Sequence, residues 1–207
     1  MKKLSENFAH FEPDTLKIVD SIPIPLLVGV RCYRSIVARI CQRYRIRPDW
    51  GYCAAKKMYY FGFKLMAITE GSKIWDYTLV PASTSEQAAL IALVSRKDLR
   101  GFSVFGDKGF LMNPEDKKML TERQINLEAI PRKNMKQNLI ENLKQKKKLR
   151  KAVETSFSQL SSLFDLTHFI LRSITGFAVT IIRKVLAYNI NRGLSIFEHN
   201  QKELLAI

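Results

Sequence analysis

Leu16-Lys17-Ile18-Val19-Asp20-Ser21-Ile22-Pro23-Ile24-Pro25 is the stretch on which the reading of the chain turns. It opens as an apolar run and closes on two prolines. Proline cannot donate to a ladder, so a strand over residues 14–22 is expected to stop by about Ile22. Asp20 then sits near the carboxyl end of a buried strand. Acids are rarely buried without donors or a cation beside them. Either neighbouring donors satisfy Asp20, or it belongs to an active site.

Working outward, residues 26–50 place Tyr33, Ile36, Val37, Ile40 and Tyr44 at helical spacing, among Arg31, Arg34, Arg39, Arg43, Arg45 and Arg47. Those arginines form either a solvated cationic face or a set of contacts to DNA phosphates. Residues 59–69 are rich in aromatics and almost continuously apolar, as in a covered strand. Glu70 to Lys73 is a turn, and residues 74–80 form the antiparallel partner. Ser83 to Arg96 reads as a helix, capped by Ser83 or Thr84 with Glu86 or Gln87 three residues on. Residues 102–106 form a fourth strand running into Asp107-Lys108-Gly109-Phe110. A short helix over 114–122 has Asn113 as its cap and Pro114 as its first residue. Residues 125–130 form a fifth strand, stopped by Pro131.

Two helices complete the pattern. Residues 137–164 are strongly charged. Residues 166–192 carry Phe169, Ile170, Ile174, Phe177, Ile181, Val185 and Tyr188 at spacings of three and four. Residues 195–207 read as frayed helix or tail. A hairpin followed by helix-linked strands implies an α/β domain: a mixed five-stranded sheet with helices on its faces.

The chain has 207 residues, 46% of them hydrophobic, enough for one sizeable core. Its formal charge is +15, with 34 basic against 19 acidic residues. That excess points to a polyanionic partner, nucleic acid or an anionic membrane, and does not separate an enzyme from a simple binder. Cys32, Cys41 and Cys53 make no C-x-x-C pair and fit no zinc spacing, so free thiols in a reducing compartment are expected. The first residues lack the apolar core of a signal peptide. Arg172, Arg183 and Lys184 interrupt the most apolar late region, so no membrane span is expected. Its seam at Phe169, Phe177 and Ile181 reads as a packing face, not a membrane-binding one. A soluble, cytoplasmic protein is expected.

Three acids stand out in this order. Asp20 ends the first strand, Asp107 follows the fourth, and Glu154 lies on the long helix after the fifth. They meet if the first and fourth strands are neighbours and the helix packs across them. Such a cluster suits phosphodiester chemistry, because hard divalent ions prefer carboxylate oxygens and offset the repulsion among the acids. Glycines beside Asp107 permit close backbone approach to a metal or to DNA. Each acid also has a plain reading. Asp107 is an ordinary turn residue. Glu154 pairs with Arg150 or Lys151 on a helix surface. Glu12, Asp14, Asp49, Glu70, Asp76 and Asp165 compete, with Asp76 and Glu70 the first replacements.

Taken together, Asp20-Ser21-Ile22-Pro23-Ile24-Pro25, Tyr60-Phe61-Gly62-Phe63-Lys64-Leu65, Gly106-Asp107-Lys108-Gly109-Phe110 and the run from Arg150 through Glu154 to Leu160 give the chain a likeness to a known family. It resembles a DDE-type transposase of bacterial insertion sequences, in particular the compact family with an Asp-Ser-x-Pro-x-Pro first motif. Gly176-Phe177 and Leu186-Ala187-Tyr188-Asn189 add to the likeness, which covers most of residues 14–192. The resemblance implies a ribonuclease-H-like fold and cleavage of element ends followed by strand transfer into target DNA. It implies Mg²⁺, with Mn²⁺ as a substitute, as two ions held by Asp20, Asp107 and Glu154. Water frees a 3′-hydroxyl at the element end, and that hydroxyl attacks target DNA.

Arg150 matches a basic residue that relatives place four before the last acid. Ser161 stands where relatives often have lysine, and Lys147 where they often have tyrosine. Arg150, Lys108, Lys64, Lys147 and Lys151 are the candidates for phosphate contacts. The partners implied are double-stranded DNA at element ends and targets, with a homodimer compatible with the DNA complex, no membrane, and a place in the nucleoid. Such proteins carry a helical recognition region before the first catalytic strand. Residues 1–13 are therefore expected to be a linker or a remnant of it, 14–165 the catalytic domain, and 166–207 a helical extension. The alternatives are a metal-dependent nuclease that does not join ends, and a catalytically silent DNA-binding fragment.

Overall fold

The computed structural model describes residues 16–27, 47–54, 56–96, 99–131, 143–167 and 173–204. The arginines of residues 31–45, Cys32 and Cys41, and the segments 1–13, 28–46, 137–142 and 168–172 lie outside the described residues.

Six strands make one mixed sheet: β1 (Lys17–Leu27), β2 (Asp49–Cys53), β3 (Met58–Glu70), β4 (Lys73–Pro81), β5 (Phe102–Gly106) and β6 (Ile125–Ala129). The order is β2-β3-β1-β5-β6, with β4 also on β3. β2 pairs with Met58–Gly62 and β4 with Phe63–Glu70, so the two follow each other along one edge of β3. β3 is antiparallel to β1, β2 and β4, while β5 runs parallel to both β1 and β6. The helices are α1 (Glu86–Arg96), α2 (Pro114–Glu122), α3 (Leu143–Ser162) and α4 (Ile174–Leu204). This is a ribonuclease-H-like α/β fold, with the first and fourth expected strands adjacent as the acid cluster requires.

β1 departs from expectation. It does not stop at Ile22 but continues through Pro23 and Pro25, opposite Lys64 and Gly62. Residues two apart turn their backbone groups to the same edge. β1 pairs with β5 only at Lys17 and Ile18, whereas its ladder with β3 runs on to Leu27. The proline nitrogens therefore face the edge that β5 has left, where no donor is needed. β2 is the sixth strand, and the helical pattern read over residues 26–50 does not extend to it. Ser85, not Ser83 or Thr84, caps α1: its Oγ accepts the Ala88 N–H at 3.2 Å. β5 and α2 have the expected bounds, and Asn113 Oδ1 accepts the Asp116 N–H as the cap of α2.

Strand alternation divides the core into two layers. Ile18, Ile22, Ile24, Phe63, Leu65 and Ala67 pack against Val153, Phe157 and Leu160 of α3 and Phe177, Ile181 and Val185 of α4. Val19, Met66, Ile68 and Val104 pack against Ala89, Leu90, Leu93 and Val94 of α1 and Leu120 of α2. The stretch expected as a helical extension thus shares the core of β1 and β3. It also holds the β4 edge, where Asn189 bonds both backbone groups of Ile74 and the Tyr188 hydroxyl donates to Ser72 O. α4 continues as helix to Leu204, so residues 195–204 take the helical one of the two expected readings. Among the described residues, no helix is long and apolar enough to cross a membrane.

Candidate active site

Alternation along β1 sets the directions of its polar pair. Asp20 shares a face with Ile18 and Ile22, toward α3; Ser21 shares one with Val19, toward α1. Burial pushes the Asp20 carboxyl up from 3.8 to about 6. The Ser21 N–H, donated to Oδ1 at 2.8 Å, and the Arg150 guanidinium pull it down, while Glu86 and Asp107 push it further up.

Asp107 leaves β5 immediately after its last residue. It caps a single 3₁₀ turn over Lys108–Phe110, its Oδ1 accepting the Lys108 N–H. The flanking glycines have packing reasons. A Cβ on Gly106 would lie 2.6 Å from Phe110, and one on Gly109 would lie 3.1 Å from Glu86 Cγ. Their close approaches are to protein, which is reason enough for glycine at both positions.

Glu154 follows Val153 on α3, beside the buried stripe of Val153, Phe157 and Leu160. One turn earlier, Arg150 joins two of the acids: its Nη2 is 3.0 Å from Glu154 Oε1 and 3.4 Å from Asp107 Oδ2. Arg150 Nε is buried without a hydrogen-bond partner. Lys108, Lys147 and Lys151 are exposed. Lys64 is engaged: its Nζ donates to Glu86 Oε1 at 2.8 Å and to Thr84 O at 2.9 Å. Glu12 and Asp14 lie outside the described residues, and the other competing acids have partners of their own, with Asp49 Oδ1 accepting the Trp50 N–H. Glu70 pairs with buried Lys17 at 3.1 Å, Asp76 with Arg96 at 3.6 Å, and Asp165 with Lys184 at 3.8 Å.

Glu86 is the residue that local reading misjudged. Its Oε1 accepts from both Lys64 and the Ser21 hydroxyl, the latter at 3.0 Å, while Oε2 is buried without a partner. It thus stands beside Asp20 as a fourth carboxylate. Local sequence offers only a cap-box partner here; the pairing of β1 with β3 is what brings Ser21 and Lys64 to it.

Carboxylate oxygens suit a hard divalent ion. Among the described residues, however, no three His, Cys, Asp or Glu side chains are gathered as a ready ligand set. Arg150 supplies the positive charge between Asp107 and Glu154 instead.

A model described as a transposase DDE domain matches residues 35–190. The chain belongs to that family. The match takes in β2 through most of α4, including Asp107, Arg150 and Glu154, and begins after Asp20. No curated protein matches the chain significantly. Membership in the transposase DDE domain family assigns the chain to DNA-acting proteins.

Proposed function

We propose that the chain is a DNA transposase that cleaves insertion-element ends and transfers the freed strand into target DNA. Family membership supports the DNA-acting part of this reading. The observation that carries the site is the single Arg150 nitrogen between Asp107 and Glu154, with Asp20 close enough for Asp107 and Arg150 to shift its titration. Asp20, Asp107 and Glu154 are the residues proposed to hold Mg²⁺, or Mn²⁺, as a pair of ions.

Bound divalent ions would offset the phosphate charge and lower the barrier to attack by water or a 3′-hydroxyl. The chain's own residues do the rest. Asp20 and Asp107 are fixed by their backbone hydrogen bonds to the next residue. Glu154 is half-exposed on its helix, so its side chain is free to turn from Arg150 toward a bound cation. Arg150, which would keep its contact to Asp107, would then turn guanidinium donors to a phosphate. Lys108, Lys147 and Lys151 are the residues proposed to extend the cationic approach for DNA, while Lys64 is held by Glu86. The nucleoid is the proposed place of action, and a homodimer on DNA the proposed assembly.

The test is cleavage and joining of a labelled duplex whose end is taken from the DNA flanking the gene, with and without Mg²⁺. Joined product that requires metal and disappears in Asp107→Asn is expected. Joined product that persists in Asp107→Asn overturns the assignment. Cut but unjoined ends would identify a nuclease.

A further inference from the structure

The β2–β3 hairpin carries a pair of aromatic rings that the core does not use. Tyr52 and Tyr59 are register partners across the two strands. Their ring centroids are 4.9 Å apart with planes tilted by 50°. They are 54% and 68% exposed, so most of both rings is bare. One step inward, Trp50 and Phe61 form a second cross-strand pair at 5.8 Å, with Phe61 only 8% exposed. Residues two apart share a sheet face, so both pairs lie on the same side. The tip between the strands adds Lys56 and Lys57, both exposed.

That side is the one on which Asp20 lies. Tyr59, Phe61, Phe63, Leu65 and Ala67 alternate onto one face of β3, and Asp20 is the register partner of Ala67. At about 3.3 Å per residue, Tyr59 stands roughly 26 Å along β3 from the Asp20 level. The hairpin extends in the direction in which β1 runs, and Asp107 leaves parallel β5 in that same direction.

We propose that this hairpin binds a DNA strand through an unstacked base. Tyr52 and Tyr59 would take the base, and Lys56 and Lys57 the adjoining phosphates. The proposal rests on the DNA-acting reading above. An aromatic side chain gains by stacking only on a base whose face is free, and inside a duplex those faces are covered. Cross-strand pairing rewards contact between the two rings but does not need both to remain bare. Lysines alone would serve to blunt a sheet edge; beside two bare rings they supply the charge that a strand of DNA requires.

The test is fluorescence anisotropy of the full chain with a labelled oligonucleotide of about 20 nucleotides, single-stranded and as its duplex. Tyr52→Ala/Tyr59→Ala is expected to weaken single-strand binding about 10- to 100-fold and duplex binding by less than about 3-fold. Tyr52→Phe/Tyr59→Phe is expected to bind single strands as wild type does. Lys56→Ala/Lys57→Ala is expected to weaken both and to flatten the single-strand salt slope by about 1.4. Melting temperature checks that the alanine variant keeps its fold. Unchanged single-strand affinity in a folded alanine variant, or loss in the phenylalanine variant equal to that in alanine, overturns the platform alone. Wild-type protein that binds neither form of DNA overturns the transposase reading with it.

Discussion

Two neighbours early in β1, just past the point where β5 leaves it, stand in different company. Asp20 faces the α3 layer, with Arg150, Asp107 and Glu154; Ser21 faces the α1 layer and joins Glu86 and Lys64. The first group is open at its outer acids, although Asp20 is largely buried and Arg150 is only 24% exposed. Side chains of Asp107 and Glu154 are 35% and 54% exposed, and Arg150 holds them at 3.4 and 3.0 Å. The second is closed. Lys64 and Glu86 are 16% and 25% exposed and meet at 2.8 Å. Exposed ion pairs contribute little to stability, whereas a half-buried charge-assisted network contributes more. Half-exposed Glu154 can therefore leave its pair at small cost, whereas breaking the Lys64–Glu86 pair costs more. The two faces of one stretch of β1 thus carry a more exposed set of charges and a more enclosed one.

The largest expected effect breaks this contrast in both directions. Glu154→Ala should lower the rate of strand joining by at least about 10³-fold. It should barely move the melting temperature, because a helix-surface pair is worth about 0.5 kcal/mol. Glu86→Ala should do the reverse. It strands the Lys64 ammonium without its carboxylate, at a cost of about 1.5–3 kcal/mol, or a melting temperature lower by roughly 4–10 °C. Its turnover per folded molecule should stay well above that of Glu154→Ala. Thermal unfolding and the joining assay, run on both variants, check this. Equal losses of stability would erase the division between open and closed groups.

The next effect sharpens the open side. Burial holds the Asp20 carboxyl near about 6, above its ordinary 3.8. The folded state therefore binds this proton more tightly than the unfolded chain does. The group's stabilising contribution is full below about pH 4 and is lost as pH rises through about 6, by at most on the order of 3 kcal/mol. Without divalent ions, Asp20→Asn should thus gain melting temperature over wild type as pH goes from 5 to 7.5. Mg²⁺ added at pH 7.5 should narrow that gap by stabilising the wild type alone. A gap that does not change with pH would remove burial as the cause.

The contrast also separates what the sequence makes legible from what it hides. β5, the Asn113-Pro114 start of α2 and the β3–β4 hairpin depend on local patterns, and local patterns placed them. The end of β1 was misplaced because the proline rule assumes that both strand edges need donors, and β5 leaves one edge after Ile18. β2 is hidden because the alternation of Trp50 and Tyr52 is too short, and too broken by Gly51, to mark a strand; it is a strand because β3 runs past β4 and offers it an edge. Asp107 and Glu154 are legible, since one follows a strand end and the other adjoins a helical stripe; Asp20 is picked out by the proline rule, although β1 runs on past it to Leu27. Glu86 is not legible, because its partners lie 65 and 22 residues away and only the sheet register brings them in.

The smallest effect asks how far the fixed support reaches. Asn189 on α4 accepts the Ile74 N–H at 3.0 Å and donates to Ile74 O at 2.9 Å. It completes the backbone bonding of a β4 residue that is 4% exposed. Asn189→Ala leaves both groups without this partner and should cost about 1–2 kcal/mol, or roughly 3–6 °C in melting temperature. Asn189→Asp keeps the acceptor for the N–H but turns a carboxylate oxygen toward the Ile74 carbonyl, so it should be no more stable than alanine. Neither change touches Asp20, Asp107 or Glu154, so the Mg²⁺ concentration for half-maximal joining should stay at the wild-type value. Melting curves and a Mg²⁺ titration of the joining reaction test both halves. A shifted Mg²⁺ requirement would mean that strain at the β4 edge passes through β3 to Asp20, and the support would then be part of the tuning of the open group.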